Sequence, residues 1–500
     1  MMNLNLFEIE KACGGTLVPK GAAPDTQVSS LVLDSRQVTA GGVFLATVGE
    51  RVDGHRFIKT VYDKGVSLVV TEKTPERVEA EHGIEVSAWG SYVLVRDSLQ
   101  ALKDIAEYYR RKLDIPVVGI TGSVGKTSTK EFIAGVLAER YCVLKTEGNF
   151  NNEVGLPLTL LRIRPEHEVA VVEMGISDFG EMHRLSKMAR PNICVITNIG
   201  QCHLENLKTR DGILQAKTEI FDFMAEDGEV CLNGEDDKLR TVTEVKGKKT
   251  HFFGLGEFPE EVYADGIVSK GLWGSDAVLH MCGSQSAENE AATAQKTEIA
   301  VPIEIPLPGV HMVTNAAAAA CVAKLLELTP EQIAEGIKHV SAIGGRNNLI
   351  RLPRYTLIDD CYNANPVSMK AAIDLLNMAD TVKVAILGDM FELGAASDAM
   401  HAEVGAYAVQ KGIDRIYCVG EKSRYMYESA LREADRARKT GEAEASKQEQ
   451  EIVYFETRDA LLEALMQKQE KYIPEGGTVL IKASHGMMFT EVLAYLKEHA

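Results

Sequence analysis

Val117-Val118-Gly119-Ile120-Thr121-Gly122-Ser123-Val124-Gly125-Lys126-Thr127-Ser128 is the stretch on which the reading of the fold turns. Its first five residues form a β-rich apolar run, the pattern of a buried strand. Small residues and Gly-Lys-Thr follow, and then a helix is expected from about Thr127 to Arg140. Small residues let backbone N–H groups approach phosphate oxygens, and a helix N-terminus adds partial positive charge. Thr121, Gly122, Ser123, Val124, Gly125, Lys126, Thr127 and Ser128 are therefore candidates for binding a nucleoside triphosphate, with Lys126 on the terminal phosphates and Thr127 on Mg²⁺. The strict pattern has glycine six residues before the lysine, and here that place is Ile120. A plain glycine turn with a surface lysine is the alternative; the position of Gly-Lys-Thr between strand and helix favours the nucleotide.

On the C-terminal side, Ala170–Glu173 and Ile193–Thr197 read as further buried strands ending in polar residues. Strand, loop and helix in alternation are the signature of a parallel sheet. Residues 257–306 break the rhythm and read as a β-rich excursion or surface insertion, with a low-complexity stretch at Ser284–Lys296. Asn315–Leu328 is an alanine-rich helix. Beyond Gly344, strands at Thr356–Asp359, Val382–Leu387, Arg415–Val419, Ile452–Phe455 and Val479–Lys482 alternate with helical segments. Five such units suggest a doubly wound domain. No Gly-x-Gly-x-x-Gly follows any of these strands, so the dinucleotide fingerprint is missing. The polar stretch Glu433–Glu451 reads as a solvated insertion. On the N-terminal side, short apolar runs and a helix at Leu99–Lys112 form a mixed unit that stops before Pro116. The expected architecture is α/β with three domains. A mixed N-terminal domain spans 1–112, a central parallel-sheet domain of ATPase type 113–342, and a Rossmann-like C-terminal domain 343–500.

The chain length agrees with that division, since 500 residues exceed one domain and suit about three. Apolar residues at 45% and charged residues at 25% are ordinary for globular proteins. The formal charge of −18 argues against nucleic acid or an anionic membrane as main partner. The nine cysteines are scattered, with no Cys-x-x-Cys, and read as reduced thiols of a cytosolic protein. The start, with acids at Glu8 and Glu10, does not fit a signal peptide, and no apolar run approaches the roughly 20 residues of a bilayer span. A soluble, cytoplasmic monomer is expected.

Further residues suit chemistry at the ends of these strands. Glu173 closes a buried strand, where ligands of parallel sheets bind, and could hold Mg²⁺; an edge-exposed glutamate is the alternative. Gly148-Asn149-Phe150-Asn151-Asn152-Glu153 is either a surface turn or a binding loop. His203, alone, reads as a loop histidine. Lys217, alone, reads as a solvated helix lysine. Asn315 suits a helix N-cap, and Gly344-Gly345-Arg346 suits a linker. Asp359-Asp360-Cys361-Tyr362-Asn363-Ala364-Asn365-Pro366-Val367-Ser368 is otherwise a capped strand-to-helix turn.

Taken in order, these segments resemble the Mur ligase family, whose members couple ATP hydrolysis to amide-bond formation. The resemblance starts with Thr-Gly-x-x-Gly-Lys-Thr at the opening of a second domain and covers nearly all of the chain. Asp-x-Tyr-Asn-Ala-Asn-Pro-x-Ser, Leu387-Gly388-Asp389-Met390-Phe391-Glu392-Leu393-Gly394 and His401 are similar to the branch that adds D-Ala-D-Ala to UDP-N-acetylmuramoyl-tripeptide. The resemblance implies ATP and Mg²⁺ as cofactors, with Thr127, Glu173, His203 and Lys217 at the metal. It implies that Lys217 is carbamylated by CO₂, which turns a metal-repelling cation into an anion. Arg346 is implied at the γ-phosphate, and Asn315 and Asp360 at the nucleotide. Ser35, Arg36, Asn149, Asn152, Tyr362, Asn363 and Asn365 are implied at the UDP-linked and dipeptide substrates. His485 stands where the family usually has arginine, and no role is carried onto it. A sister ligase or a polyglutamate synthase would keep the loop but lack Asp-x-Tyr-Asn-Ala-Asn-Pro. The alternative of another class is a regulatory protein that hydrolyses ATP without ligating anything.

Overall fold

The computed structural model describes residues 2–49, 52–200, 202, 204–256, 261–283, 297–341, 348–391, 393–440 and 450–500. The N-terminal strands are β1 (Thr16–Val18), β2 (Leu31–Val32), β3 (Val43–Leu45), β4 (Leu68–Thr71) and β5 (Tyr92–Leu94). They form one sheet in the order β1-β5-β4-β3-β2, parallel except for β1 against β5. The helix Ser98–Arg111 follows, started by the Asp97 side chain, which accepts the Gln100 N–H. Its apolar face enters a core shared with the next sheet.

That central sheet contains β6 (Val117–Thr121), β7 (Val143–Lys145), β8 (Val169–Glu173), β9 (Ile193–Ile196) and β10 (Glu229–Asn233). A small pair, β11 (Glu244–Val245) and β12 (Lys248–Lys249), stands apart. The sheet continues through β13 (His251–Leu255), β14 (Val262–Ser269), β15 (Ser275–Gly283) and β16 (Thr297–Ile305). The order is β16-β15-β14-β13-β10-β9-β6-β8-β7. β6 pairs in parallel with β8 on one side and β9 on the other. All five of its residues are buried, which is why it reads as a continuous apolar run. From β6 the chain moves outward to β7, returns to β8 and then crosses to β9. The connections leaving β6 and β8 thus run in opposite directions, and the ends of these strands form a switch point where parallel sheets bind ligands. Over their described part residues 257–306 are β-rich but not a surface insertion, since β14, β15 and β16 extend the main sheet. Ser284–Lys296 lies outside the described residues.

The C-terminal sheet holds β17 (Asn348–Arg351), β18 (Thr356–Asp360), β19 (Lys383–Gly388), β20 (Arg415–Val419), β21 (Glu451–Phe455) and β22 (Thr478–Lys482), in the order β17-β18-β22-β19-β20-β21. The five expected strands are parallel, and β17 is an added antiparallel edge. Helices Pro366–Asn377, Ser397–Gln410 and Ser423–Thr440 bury Met369, Val404 and Met426 in one core. Helices Arg458–Tyr472 and Thr490–Glu498 bury Leu461, Leu465, Val492 and Leu496 in another. Two cores on one sheet make the doubly wound arrangement. The polar stretch after Glu433 is helical as far as Thr440, because its Glu, Ala and Arg residues are good helix formers.

The chain divides into two compact units. One comprises Met1–Ile267, Ala277–Glu304 and His311–Val340; the other comprises Val268–Asp276, Ile305–Val310 and Ser341–Ala500. Within the second unit, Leu272 joins the core beside Met369, and the Arg351 guanidinium lies 3.9 Å from the centroid of the Trp273 ring. No described helix is long and apolar enough to cross a membrane.

Candidate active site

The loop after β6 is shaped by two glycines. Gly122 has φ +152°, and a Cβ there would fall 2.0 Å from the Thr197 hydroxyl oxygen. Gly125, at φ +83°, caps the helix Lys126–Leu137. The loop is held from the end of β9. Ser123 N–H donates to the Asn198 carbonyl at 3.0 Å, and Val124 N–H donates to Asn198 Oδ1 at 2.9 Å. The Thr197 hydroxyl and the Asn198 amide both donate to the Val124 carbonyl, at 2.7 and 2.9 Å. Ser123 and Val124 thus spend their N–H groups on the scaffold. The first-turn N–H groups of the helix have no intrahelical acceptor and are of the kind that binds phosphate oxygens. Lys126 arches over the loop, its Nζ donating to the Gly122 carbonyl at 3.0 Å.

Glu173, at the end of β8, is 2% exposed. It is not the edge-exposed glutamate of the alternative reading. Its carboxylate accepts from the Thr127 hydroxyl at 3.0 Å and from the Asn151 amide at 2.8 Å. Its backbone N–H donates to the Thr146 hydroxyl at 3.0 Å, and buried Lys130 donates to the Thr146 carbonyl at 2.7 Å. A hydroxyl and a carboxylate in contact at a phosphate loop are hard oxygen donors of the kind Mg²⁺ takes. Asn151, rather than Asn149 or Asn152, reaches this corner. Asn149 is exposed, and Asn152 Oδ1 accepts the N–H groups of Val154 and Gly155 at 3.1 and 2.8 Å, fixing the turn into the next helix. A cleft of about 490 Å³ opens beside Lys126, Asn151 and Glu153.

Lys217 is 1% exposed, so it is no solvated helix lysine. Its ammonium is pushed down to about 8, first by burial and then by the charge of Lys126. Among the described residues no carboxylate lies within ion-pair distance of it. Its helix, Arg210–Thr218, is begun by Thr209, whose hydroxyl oxygen accepts the Gly212 N–H at 3.0 Å. Just past Lys217, the Glu219 carboxylate accepts the N–H groups of Gly180 and His183, each at 3.1 Å. That contact locks the Lys217 turn to the start of the helix Glu181–Ala189. His203 lies outside the described residues.

Asn315 is not an N-cap. Its helix begins at Val310, placing Asn315 inside it. There Asn315 Oδ1 accepts from the Thr129 hydroxyl at 2.8 Å and braces the helix that follows the phosphate loop. In the N-terminal sheet domain, the Ser35 carbonyl accepts from Lys64 at 2.7 Å. Arg36 is an exposed side chain paired with Asp34 at 2.7 Å. That guanidinium's hydrogen bond holds the Asp34 carboxyl down at about 2.

The second unit carries the remaining candidates. Buried Lys482 donates to Asp360 Oδ2 at 2.6 Å and to the Asn363 carbonyl at 2.8 Å, tying the Tyr-Asn-Ala-Asn turn to β22. Asn365 caps the helix Pro366–Asn377 by accepting the Ser368 N–H at 2.8 Å. Tyr362 is exposed, its ring centroid 6.3 Å from that of His485. His401 is buried; its Nε2 accepts the Met390 N–H at 2.9 Å while Nδ1 donates to the Ser397 carbonyl at 2.7 Å. It braces the Gly388–Met390 turn. Arg346 lies outside the described residues.

What the switch point of the central sheet carries is the equipment of a phosphate-loop enzyme that works on a nucleoside triphosphate. Comparison with known proteins agrees along the chain. Residues 27–110 match the Mur ligase family catalytic domain, 120–323 the Mur ligase middle domain, and 345–485 the Mur ligase glutamate ligase domain. The UDP-N-acetylmuramoyl-tripeptide–D-alanyl-D-alanine ligase of Bacillus subtilis (strain 168) is 34% identical over 95% of this chain and 94% of its own. The enzyme of that name from Escherichia coli (strain K12) is 32% identical over 85% of this chain and 87% of its own. Among solved structures, one crystal structure of MurF from Acinetobacter baumannii superposes with a TM-score of 0.82 at 29% identity, covering 99% of this chain and 98% of that one. MurF ligase from Thermotoga maritima in complex with ADP gives 0.71 at 26% identity, covering 95% and 99%. The chain belongs to the Mur ligase family and is an ATP-dependent ligase.

Proposed function

We propose that this enzyme joins D-alanyl-D-alanine to the terminal carboxylate of UDP-N-acetylmuramoyl-tripeptide, in the cytoplasmic assembly of peptidoglycan precursors, and works as a monomer. The observation that carries the reading is likeness over 95% of the chain to a ligase of that name. Asp360-Cys361-Tyr362-Asn363-Ala364-Asn365-Pro366 supports it from within the sequence. The division of labour follows the three sheets: 1–112 for the UDP-linked substrate, 113–342 for ATP, and 343–500 for closing the site and holding the dipeptide.

A carboxylate is a poor electrophile, so the reaction begins with its activation. A carboxylate oxygen attacks the γ-phosphorus of ATP; the new O–P bond forms as the bond to the β-bridging oxygen breaks, and ADP leaves. The dipeptide amine then attacks the acyl carbon. The C–N bond forms, the nitrogen loses a proton, and phosphate departs with the acyl oxygen. Lys126 and the first-turn N–H groups of its helix take the charge of the moving phosphoryl group. Arg346 keeps the part implied by the resemblance.

The donors described fit Mg²⁺, with Thr127 and Glu173 as oxygen ligands; the resemblance adds His203 and carbamylated Lys217. Mg²⁺, when bound, offsets negative charge on the phosphates. Buried Lys217 is suited to carbamate formation. A neutral amine attacks CO₂, an N–C bond forms and a proton leaves, which replaces a cation beside Lys126 with an anion. The test is a product assay. The expected result is one phosphate and one ADP per D-alanyl-D-alanine consumed. ATP hydrolysis that never consumes dipeptide, or equal use of unrelated amines, would overturn the reading.

A further inference from the structure

At the N-terminal ends of the central strands, Arg110 lies in the last turn of the helix Ser98–Arg111 and is 6% exposed. Its Nε donates to the Ala189 carbonyl at 2.8 Å, Nη1 to the Leu113 carbonyl at 3.1 Å, and Nη2 to the Arg190 carbonyl at 3.1 Å and Asn192 Oδ1 at 3.0 Å. A guanidinium has five N–H donors, so one on Nη1 is left over. No carboxylate lies within ion-pair distance of Arg110 among the described residues.

The surroundings add donors and positive charge. Asn192 Oδ1 accepts from both Arg110 and the Val117 N–H, the latter at 3.0 Å, so the amide NH₂ remains as a donor with no acceptor among the described residues. Arg190 closes the helix Glu181–Ala189 in the left-handed region at φ +44°. Its guanidinium has no hydrogen-bond or ion-pair partner among the described residues. Arg111 is paired at the surface with Glu107 at 2.6 Å. Together with Leu113 and Ala225, these four residues line a cavity of about 300 Å³, with no acid among the described residues of its wall. That volume is at the lower end for ligand pockets, which run from about 300 to 1,000 Å³. Burial pushes the Arg110 guanidinium down to about 10, the charge of Arg190 adds to the push, and Asp114 opposes it.

We propose that this cavity binds a tetrahedral oxyanion of the phosphate class. Planar guanidinium forks match such oxygens two at a time. An anion here also relieves the repulsion between Arg110 and Arg190. The site is separate from the nucleotide loop. Asn192 and Val117 mark the N-terminal edge of β9 and β6, whereas the loop follows the C-terminal end of β6. A strand of five residues sets them roughly 17 Å apart.

The test uses the full-length enzyme with its nucleotide loop saturated by Mg²⁺ and a non-hydrolysable ATP analogue, so that this loop cannot report. Inorganic phosphate, and separately glycerol phosphate, are titrated by calorimetry. Arg190→Gln removes a guanidinium with no structural bond, and Arg111→Gln one with a single surface pair; both should keep the wild-type melting curve. Saturable phosphate binding, weakened at least tenfold in Arg190→Gln and further in the double variant, is the expected result. Glycerol phosphate binding with the same dependence would extend the site to phosphate esters, and its failure would restrict it to the free ion. A titration of the wild type that never saturates, or binding equal in wild type and double variant, would overturn the proposal.

Discussion

Lys217 is where burial and chemistry are most tightly joined, and removing CO₂ is the perturbation that probes it. An ordinary lysine titrates at 10.5, whereas this one is pushed down to about 8. At pH 7.5 the neutral fraction of the amine rises from about 0.1% to about a quarter, a gain of roughly two hundredfold in the species that attacks CO₂. The same shift makes the unmodified ammonium a burden on the fold. The charged form is the one penalised, so its cost is fully present below pH 8 and fades as pH rises from about 8 towards 10.5. Its size is on the order of 3 kcal/mol. In CO₂-free buffer, Lys217→Met should therefore melt above the wild type at pH 7, with the advantage shrinking at alkaline pH. Activity should behave in the opposite way. Lys217→Ala should lose about 10²–10³ in turnover, the range for deleting one preorganised electrostatic group. A small carboxylate such as acetate should restore part of it by taking the vacated anionic place. Wild-type enzyme depleted of CO₂ should slow and recover on adding bicarbonate, and ¹³C-bicarbonate should give a carbamate resonance that is absent from Lys217→Ala. Lys217→Arg cannot take up CO₂ in this way. A well-folded, fully active Lys217→Arg enzyme would refute the reasoning.

Three further outcomes are expected. Lys126→Ala should abolish phosphate release while circular dichroism stays unchanged, because its Nζ reaches across the loop turn to the Gly122 carbonyl and is not part of the buried core. Arg346→Ala should lower turnover more than ATP affinity, as befits a contact strongest in the transition state; parallel measurement of kcat and ATP binding checks it. Lys482→Met breaks the 2.6 Å contact with buried Asp360 and should cost on the order of 3 kcal/mol in urea denaturation, with part of the loss recovered in the double variant Asp360→Asn/Lys482→Met.

The strands were largely legible because buried parallel strands are continuous apolar runs, and Val117–Thr121 and Arg415–Val419 fall where the sequence places them. Roles that depend on a neighbour from elsewhere in the chain were not. Lys217 is indistinguishable from a solvated helix lysine until the fold closes over it, and Lys130 carries the same ambiguity. Asn315 and Asn365 both resemble caps. Asn365 does cap, whereas Asn315 lies inside a helix begun at Val310 and braces Thr129 instead. The polar end of the strand at Thr197-Asn198 is visible in the sequence, but its grip on the phosphate loop is not.

What is legible and what is not have one physical source. Sequence order runs from β6 through β7 to β8 and β9, but spatial order places β6 between β9 and β8. Each strand's own pattern announces that it is buried and where it stops. Nothing local announces which strand ends stand side by side. The loop after β6, Glu173 at the end of β8 and Thr197-Asn198 after β9 become one site only through that order. Glu173 then faces Thr127 because β8 is next to β6, and Asn198 grips Ser123 and Val124 because β9 is next to β6 on the other side. A lone glutamate and a lone asparagine thereby acquire defined work. The phosphate loop alone needs no such neighbour to be read, since strand, loop and helix are contiguous, which is why it was the feature from which the rest could be found.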